Sequence, residues 1–405
     1  EDSHSYTTEA ARTATPLSMS LRETPQSVSV VTQQRIQDQD LKTILDVVNN
    51  ATGVSVNRYE TSRAQFNARG FELNSLMIDG VPTIYEQPWS GGEIFSSLAM
   101  YDRVEVVRGA NGLMTGAGDP SASLNMVRKR ASSAELKGSL ELSGGTWDTY
   151  GVEGDVSSAL NPEGTIRGRV VAESNEGDTW IDMNSTKRQT LYGTMDIDLT
   201  PDTTLWFGLS HQESNADSPM WGGLPVWYAD GGRTNWSRSK TTSAKWSKWD
   251  TTYDTYFVNL DHTFANDWQS ASKAGFQLAS GPLVSNEQYS AGGATSVRGY
   301  LAAERTGDEG YLLSQELRTP SLAKFLGSYV QEWRFYAFAE GARMRLHDPL
   351  PEQEDEYSLA SVGLGTRASL SKWLSGSLDW GYPLLDGPNT QKQDSRLHFS
   401  VQATF

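Results

Sequence analysis

The sequence predicts a compact α+β domain over its first third and, behind it, an antiparallel β-barrel whose outer face meets lipid. Three observations predict this. The chain ends "RLHFSVQATF", which sets Leu397, Phe399, Val401, Ala403 and Phe405 on one side of an extended strand and Arg396, His398, Ser400, Gln402 and Thr404 on the other. Strict alternation over a whole segment is the period of a strand with one apolar and one polar face. A soluble edge strand would be shorter and guarded by charge. The same alternation recurs from about Leu136 onward. The composition also fits: 37 glycines, 13 tryptophans and 16 tyrosines in 405 residues. Low mean hydropathy does not oppose a membrane barrel, because lipid-facing and lumen-facing residues alternate and average to polar.

Taken in order, the first third, to about Ala134, is mixed. "TPQSVSVVT" reads as a short strand, and "QQRIQDQDLKTILDVVNN" has helical spacing at Ile36, Leu41, Ile44, Leu45 and Val48. "RVEVVRG" is a further strand, followed by a run punctuated with glycine. The opening "EDSHSYTTEA" reads as a mature terminus whose targeting segment has been removed. Beyond Leu136, "LYGTMDIDL" places Leu191, Gly193, Met195, Ile197 and Leu199 on one face, and "TLWFGLSHQ" repeats this with Leu205, Phe207 and Leu209. "YFVNLDHTF" does so with Tyr256, Val258, Leu260 and Phe264, and similar runs lie near 138–142, 166–172, 333–339, 360–370 and 376–384. Tight turn signals such as Asn161-Pro162-Glu163-Gly164 and Thr200-Pro201-Asp202 alternate with long polar stretches rich in Trp and Gly. Short turns at one end and long loops at the other are the pattern of an outer-membrane barrel rather than a soluble sandwich. At about ten to twelve residues per strand plus loops, residues 136–405 supply roughly twelve strands.

Several function classes are excluded. The formal charge of −16 opposes a nucleic-acid groove, which needs clustered positive charge. No cysteine is present, so a disulfide scaffold or Cys-based zinc site is excluded. No apolar run approaches the roughly 18 residues of a membrane-spanning helix. The five histidines are dispersed, and no nucleophile elbow or HExxH stands among them. No enzyme is expected. In "RGANGLMTGAGDP" the glycines at 109, 112, 116 and 118 suit tight turns, while a phosphate-cradling loop would need a Gly-Lys-Ser/Thr ending.

The segments "ETPQSVSVVTQQRI", "LDVVNNATGVSV", "FNARGFELNSLMIDGVP" and "YDRVEVVRGANGLMTGAGDPSASLNMVRKR" resemble the plug domain of TonB-dependent receptors. The resemblance covers about 15–135 and points to receptors for ferric hydroxamate siderophores, such as ferric coprogen and ferric pyoverdine. It continues through "SPMWGGLPVW", similar to an extracellular loop of those receptors, to about Trp268. It implies an outer-membrane protein of a Gram-negative bacterium, and the closing "RLHFSVQATF" resembles the signal by which the barrel assembly machinery recognises its substrates. Such a protein binds an iron–hydroxamate siderophore at its extracellular face and is driven through TonB and its inner-membrane energising complex. Function would lie in selective binding and gating. Arg69, Arg108, Arg128, Lys129 and Arg130 would be the plug's cations, which would face acidic lumen residues if the plug sits in a barrel; a structural role is the more ordinary reading of each.

A ferric siderophore already saturates its iron with hard oxygen donors, so no cofactor or metal ligand held by the protein is expected. What is needed is a concave aromatic surface with a few polar groups. The candidates are Tyr85 and Trp89 at the plug apex, in "DGVPTIYEQPWSGG", and Trp221, Trp227 and Tyr228 in "SPMWGGLPVWYADGG". The alternative for each is an interfacial girdle aromatic.

After about Trp268 the resemblance changes. "SNEQYSAGGATSVRGYLAAERTGDEG" resembles the sixth surface loop of the Omp85-related two-partner secretion transporters, which export haemolysins and adhesins, and Val297-Arg298-Gly299-Tyr300 matches their signature tetrad. "GSLDWGYPL" resembles the strand bearing the acidic partner. This implies a loop folded into the lumen and locked by Arg298 on Asp379; a buried arginine needs a carboxylate to offset its desolvation. The expected organisation is therefore 1–135 plug, 136–268 receptor-like barrel strands, and 269–405 secretion-transporter-like strands. Siderophore uptake is the first expectation. A protein-export pore, or a fusion without transport activity, is the alternative. Receptor barrels have about 22 strands, and a plug is not expected to fit inside a closed barrel of twelve. A displaced plug, or completion by another chain, follows from that mismatch.

Overall fold

The computed structural model describes residues 10–11, 19–20, 27–73, 75–84, 97–108, 121–264, 267–278, 288–293, 296–301, 304–326, 330, 332–351, 353–371 and 374–403. Two short pieces, β1 (Ala10–Ala11) and β2 (Met19–Ser20), pair with each other. β3 (Ser27–Thr32) runs into α1 (Gln33–Asp38), and α2 (Ile44–Asn50) follows. Sequence spacing predicted one helical run over 33–50, and the structure divides it. Asp40 takes a φ of 50°, and Thr43 starts a fresh helix with a capping box: its hydroxyl accepts from Asp46 N–H, and the Asp46 carboxylate accepts from Thr43 N–H at 2.9 Å. The five apolar positions read from the spacing, Ile36, Leu41, Ile44, Leu45 and Val48, are all buried.

The rest of the plug is two sheets. β4 (Val54–Arg58), β5 (Ala64–Ala68) and β6 (Phe71–Glu72) form one. The other contains β7 (Ser75–Ile78), β8 (Val81–Ile84), β9 (Tyr101–Arg108) and β10 (Ala122–Arg128), in the order β3-β9-β10-β7-β8 with β8 at its edge.

Twelve strands make the wall. They are β11 (Lys137–Gly145), β12 (Thr149–Ala159), β13 (Ile166–Asp178), β14 (Ser185–Thr200), β15 (Thr203–Asp217), β16 (Lys248–Thr263) and β17 (Gln269–Leu278). A small hairpin of β18 (Tyr289–Ala291) and β19 (Arg305–Gly307) interrupts the series. Then come β20 (Glu309–Arg318), the short helix α3 (Ala323–Leu326), β21 (Glu332–Arg345), β22 (Glu356–Ser371), β23 (Leu374–Pro383) and β24 (Arg396–Ala403). All pairings are antiparallel between strands adjacent in the series, with β17 joined to β20 past the hairpin. Among the described residues no pairing joins β11 to β24, so the sheet is open at both edges.

Register places Leu191, Leu209 and Tyr256 on the outer face, where they are exposed, as alternation predicts. The inner face departs from a simple polar lumen. Val171, Tyr192, Trp206 and Phe257 point inward and join the plug's apolar core in one cluster. The plug is thus docked on the wall; the size conflict does not arise, because the sheet does not close on itself.

The plug's cations divide between lumen carboxylates and structural contacts inside the plug, so both expected roles occur. Lys129 Nζ lies 2.8 Å from Asp155 of β12, which Arg169 also contacts at 2.8 Å, and Arg130 Nε donates to Asp196 of β14 at 2.8 Å. Arg128, one residue earlier, ion-pairs inside the plug with Asp79 at 2.8 Å and lays its guanidinium 4.4 Å from the Phe257 ring centroid. Arg108 donates to Ser29 Oγ at 2.9 Å, also inside the plug. Arg69 sits in a left-handed turn with Gly70. Lys129 and Arg130 pair with wall carboxylates, Arg108 bonds within the plug, and Arg128 does both, pairing with Asp79 and covering the wall residue Phe257.

Candidate functional site

The connections 160–165 and 201–202 at one end of the wall are short, and the other end carries the long connection 218–247. In an outer-membrane barrel the long-loop end would be the extracellular one. There the plug segment 58–62 faces the ends of β13–β16 across a cleft of about 440 Å³, within the range of small-molecule sites. Its lining mixes charge, amide and ring: Arg58 and Glu60 from the plug, Asn184 and Arg188 from the wall, with Trp180 and Trp249.

Strand parity explains the wall side. Arg188 and Asn175 pair across β14 and β13, Trp249 and Ala216 across β16 and β15, and each lines the cleft. Arg188 Nη2 is held by Glu173 at 2.9 Å. On the plug side Arg63 Nε donates to the buried Glu60 carboxylate at 2.5 Å. The Arg63 guanidinium covers the Trp221 ring at 4.1 Å, and Trp221 packs on Trp249 with centroids 4.5 Å apart. Met220 N–H donates to Thr61 Oγ1 at 2.8 Å, so the loop that carries Trp221 is fastened to the plug at the edge of the cleft. Burial lowers the pKa of the Arg58 guanidinium, opposed by Asp46 and Glu60; an arginine this far from neutrality keeps its charge.

Of the aromatic candidates, Trp221 stands at the cleft. Trp227 and Tyr228 are exposed further along the loop, where Trp227 bridges to Arg233 and Tyr228 packs near Trp236. The structure does not bring these two to the cleft. Tyr85 and Trp89 lie outside the described residues. Sequence reading missed Trp180 and Trp249, which stand at strand ends, and missed Arg58, Glu60 and Arg63. The signal was available: three charged residues in the eight of "RYETSRAQ" are unusual beside a buried strand.

A second constellation lies on the inner face under β20–β23. Arg298 is buried, and Glu340 is its main partner. Arg298 N–H donates to Glu340 Oε2 at 2.7 Å, and its Nε and Nη2 donate to Oε1 at 2.9 and 2.7 Å. Nη1 reaches Asp379 Oδ1 at 3.0 Å, and Nη2 reaches Glu316 Oε2 at 3.0 Å. Arg367 and Arg318 also donate to Glu316, at 2.9 and 2.6 Å, so three arginines meet three carboxylates. The Tyr336 hydroxyl donates to Asp379 at 2.6 Å, and the Phe338 ring underlies the guanidinium at 3.6 Å. Glycine makes the room. A Cβ on Gly363 would fall 2.2 Å from Phe338, and one on Gly365 2.4 Å from Tyr336. The Arg298–Asp379 pairing was read from resemblance; Glu340, Glu316 and Arg367 were not. Their signal is lone charges at lumen-facing positions of neighbouring strands.

Comparison with known proteins follows the two halves. The model of the TonB-dependent Receptor Plug Domain matches residues 20–123. The model of the haemolysin secretion/activation protein family ShlB/FhaC/HecB matches 187–368, beginning well before residue 269. The ferripyoverdine receptor of Pseudomonas aeruginosa is 43% identical over 270 residues, 66% of this chain and 33% of that protein. The ferric-pyoverdine 358 receptor of Pseudomonas putida is 38% identical with the same coverage. The chain thus spans about a third of the length of these relatives. In structure it is similar to the P. aeruginosa ferripyoverdine receptor bound to ferripyoverdine, with TM-score 0.77 and 30% identity over 99% of this chain and 57% of the other. It is also similar to the alcaligin outer-membrane receptor of Bordetella pertussis, with TM-score 0.65 and 28% identity over 95% of this chain and 59% of the other. In its plug-domain match, its barrel strands and its relatives, the chain is similar to the TonB-dependent receptors of the Gram-negative outer membrane.

Proposed function

We propose that the chain binds a ferric siderophore in the cleft between the plug apex and the outer ends of β13–β16. The observation that carries this reading is the shared lining: a cleft of about 440 Å³ built from plug and wall together, with a tryptophan pair at its margin. An aromatic, amide-rich and net-cationic lining suits a bulky, polar iron chelate whose iron needs no protein donor. Relatives named as ferripyoverdine receptors support the ligand class. Hydroxamate coordination of the iron is the finer part of the proposal. Trp221 and Trp249 would be the aromatic wall, and Tyr85, Trp89, Trp227 and Tyr228 outer contacts. Uptake would follow plug rearrangement driven through TonB, in a barrel inserted by the assembly machinery.

The test is tryptophan fluorescence of the detergent-purified protein, titrated with ferripyoverdine and with ferrioxamine B as a pure hydroxamate. Saturable quenching by an iron-loaded form, weakened at least about tenfold by Trp249→Ala, is expected. Flat titrations of a folded barrel would overturn the reading. Response to ferripyoverdine alone would remove only the hydroxamate part.

The Arg298 cage favours a second reading, a protein-export pore in which that cage locks the inward loop. It predicts that Arg298→Ala alters conductance in planar bilayers and that no siderophore binds.

A further inference from the structure

The plug and the inward loop divide the inner face between them. The plug's core cluster takes in residues of β13, β14, β15 and β16. The loop's cluster, with Ala291, Val297 and Tyr300, takes in residues of β20, β21 and β22. β17 is the border. On it Lys273 Nζ reaches the carbonyl of Asp79, at the turn between β7 and β8, at 3.5 Å. Over it lies Tyr289 of β18, fitted where a side chain is missing: a Cβ on Gly275 would fall 3.1 Å from its hydroxyl, and one on Gly310 2.6 Å from its ring. The backbones of β18 and β8 approach within 8 Å, Cα to Cα.

β8 is the edge of the five-stranded plug sheet, and exposed edges of sheets need cover. The strand that supplies cover on this side is not part of the wall. We propose that the β18–β19 hairpin is a docking surface for the plug: it is the second wall against which the β7–β8 edge rests, and the Arg298 cage holds that wall in place. The plug would then be seated from two sides. Asp155 and Asp196 fix its junction with β12 and β14, and the hairpin fixes its opposite edge.

The loop has its own anchors. At one end, Ser296 Oγ ties back to Gly292 at 2.9 Å. At the other, the Glu304 carboxylate accepts from Asn389 and Thr390 N–H at 2.7 and 2.8 Å. Tyr300 hydroxyl lies between the backbones of Ala360 and Leu385, at 2.9 and 2.8 Å from their carbonyl oxygens. A plug that shifts towards β20–β23 must therefore push against a braced element or release it. This inference is independent of which ligand binds the cleft.

Hydrogen exchange followed by mass spectrometry on the full chain in detergent tests it. Arg298→Ala is expected to speed exchange in 75–84 at least about tenfold together with 288–301, while β14 and β15 stay protected. Faster exchange confined to 288–308, with 75–84 unchanged, would overturn the proposal. Should that variant fail to fold, the cysteine-free chain allows another route. A Thr83→Cys/Ser290→Cys double variant is expected to be joined by a short bismaleimide in the folded protein. Failure to join, with both thiols labelled singly by a monofunctional maleimide, would equally refute the docking surface.

Discussion

A methyl group at Gly381 would lie 2.0 Å from the carbonyl oxygen of Arg298, against backbone that the cage holds still. Gly381→Ala is therefore expected to unseat the loop and cost about 1–3 kcal/mol, the usual range for overpacking. Gly193→Ala, on the outer face with nothing within 4 Å, is expected to be silent. Thermal unfolding in detergent compares the two. Within the cage the partners are unequal. Glu340 accepts three of the donor contacts of Arg298 and Asp379 one, so Glu340→Gln should destabilise more than Asp379→Asn. Removing one partner of a buried pair costs about 3–5 kcal/mol, and the Glu340 variant belongs at the top of that range. The arginine itself was legible in sequence as part of a tetrad. Its chief partner was not, because a lone glutamate between small residues in "AFAEGA" reads as one more polar position of a strand. Only the pairing of β20 with β21 and β21 with β22 brings the charges together.

At the level of elements, alternation revealed the strands well, since a wall strand must present one face to lipid whatever its neighbours do. It erred on what the other face would be. Tyr192, Trp206 and Phe257 break the polar side of their strands, and they do so because a lumen that receives a plug is a packing surface. Trp206 Nε1 still finds Thr194 Oγ1 at 2.7 Å, and the Tyr192 hydroxyl finds the Lys129 carbonyl at 2.6 Å, as buried polar tips must. Helical spacing found the apolar face of 33–50 but not its break. That break depends on a turn at Asp40 and a cap at Thr43, signals shorter than the period. Thr43→Ala removes the cap that starts α2, and about 1 kcal/mol is expected. Faster exchange in 44–50, with β9 unaffected, would report it.

For the whole molecule, the strand number was legible and the placement of the plug was not, because a strand count read along the chain carries no statement about closure. Lys129 and Arg130 are two of the plug's fastenings to the open sheet, beside the Lys42–Glu141 pair to β11 and the Thr61–Met220 bond. Asp155→Asn with Asp196→Asn strips the first two and leaves their cations against the wall. Limited proteolysis should then cut in 121–135 at a lower protease concentration, while β13–β16 resist. In hydrocarbon, unpaired strand edges are not tolerated, so β11 and β24 are expected to be paired, to each other or to further strands, whenever the protein is in a bilayer.

The wall is a meander. Apart from the step from β17 to β20, every strand meets a partner that left the turn just before it. The plug is built differently: β3 must find β9 about seventy residues further on, and β7 lies parallel beside β10. Local closures form sooner than distant ones, because less chain entropy is lost before the contacts are made. The order of assembly should follow: hairpins of β12–β16 first, then the plug against a face already present. Pulse-labelled exchange during refolding into detergent should find amides of β14 and β15 protected before those of β9 and β10. In that sequence of events the wall acts as the template on which the plug completes its own core.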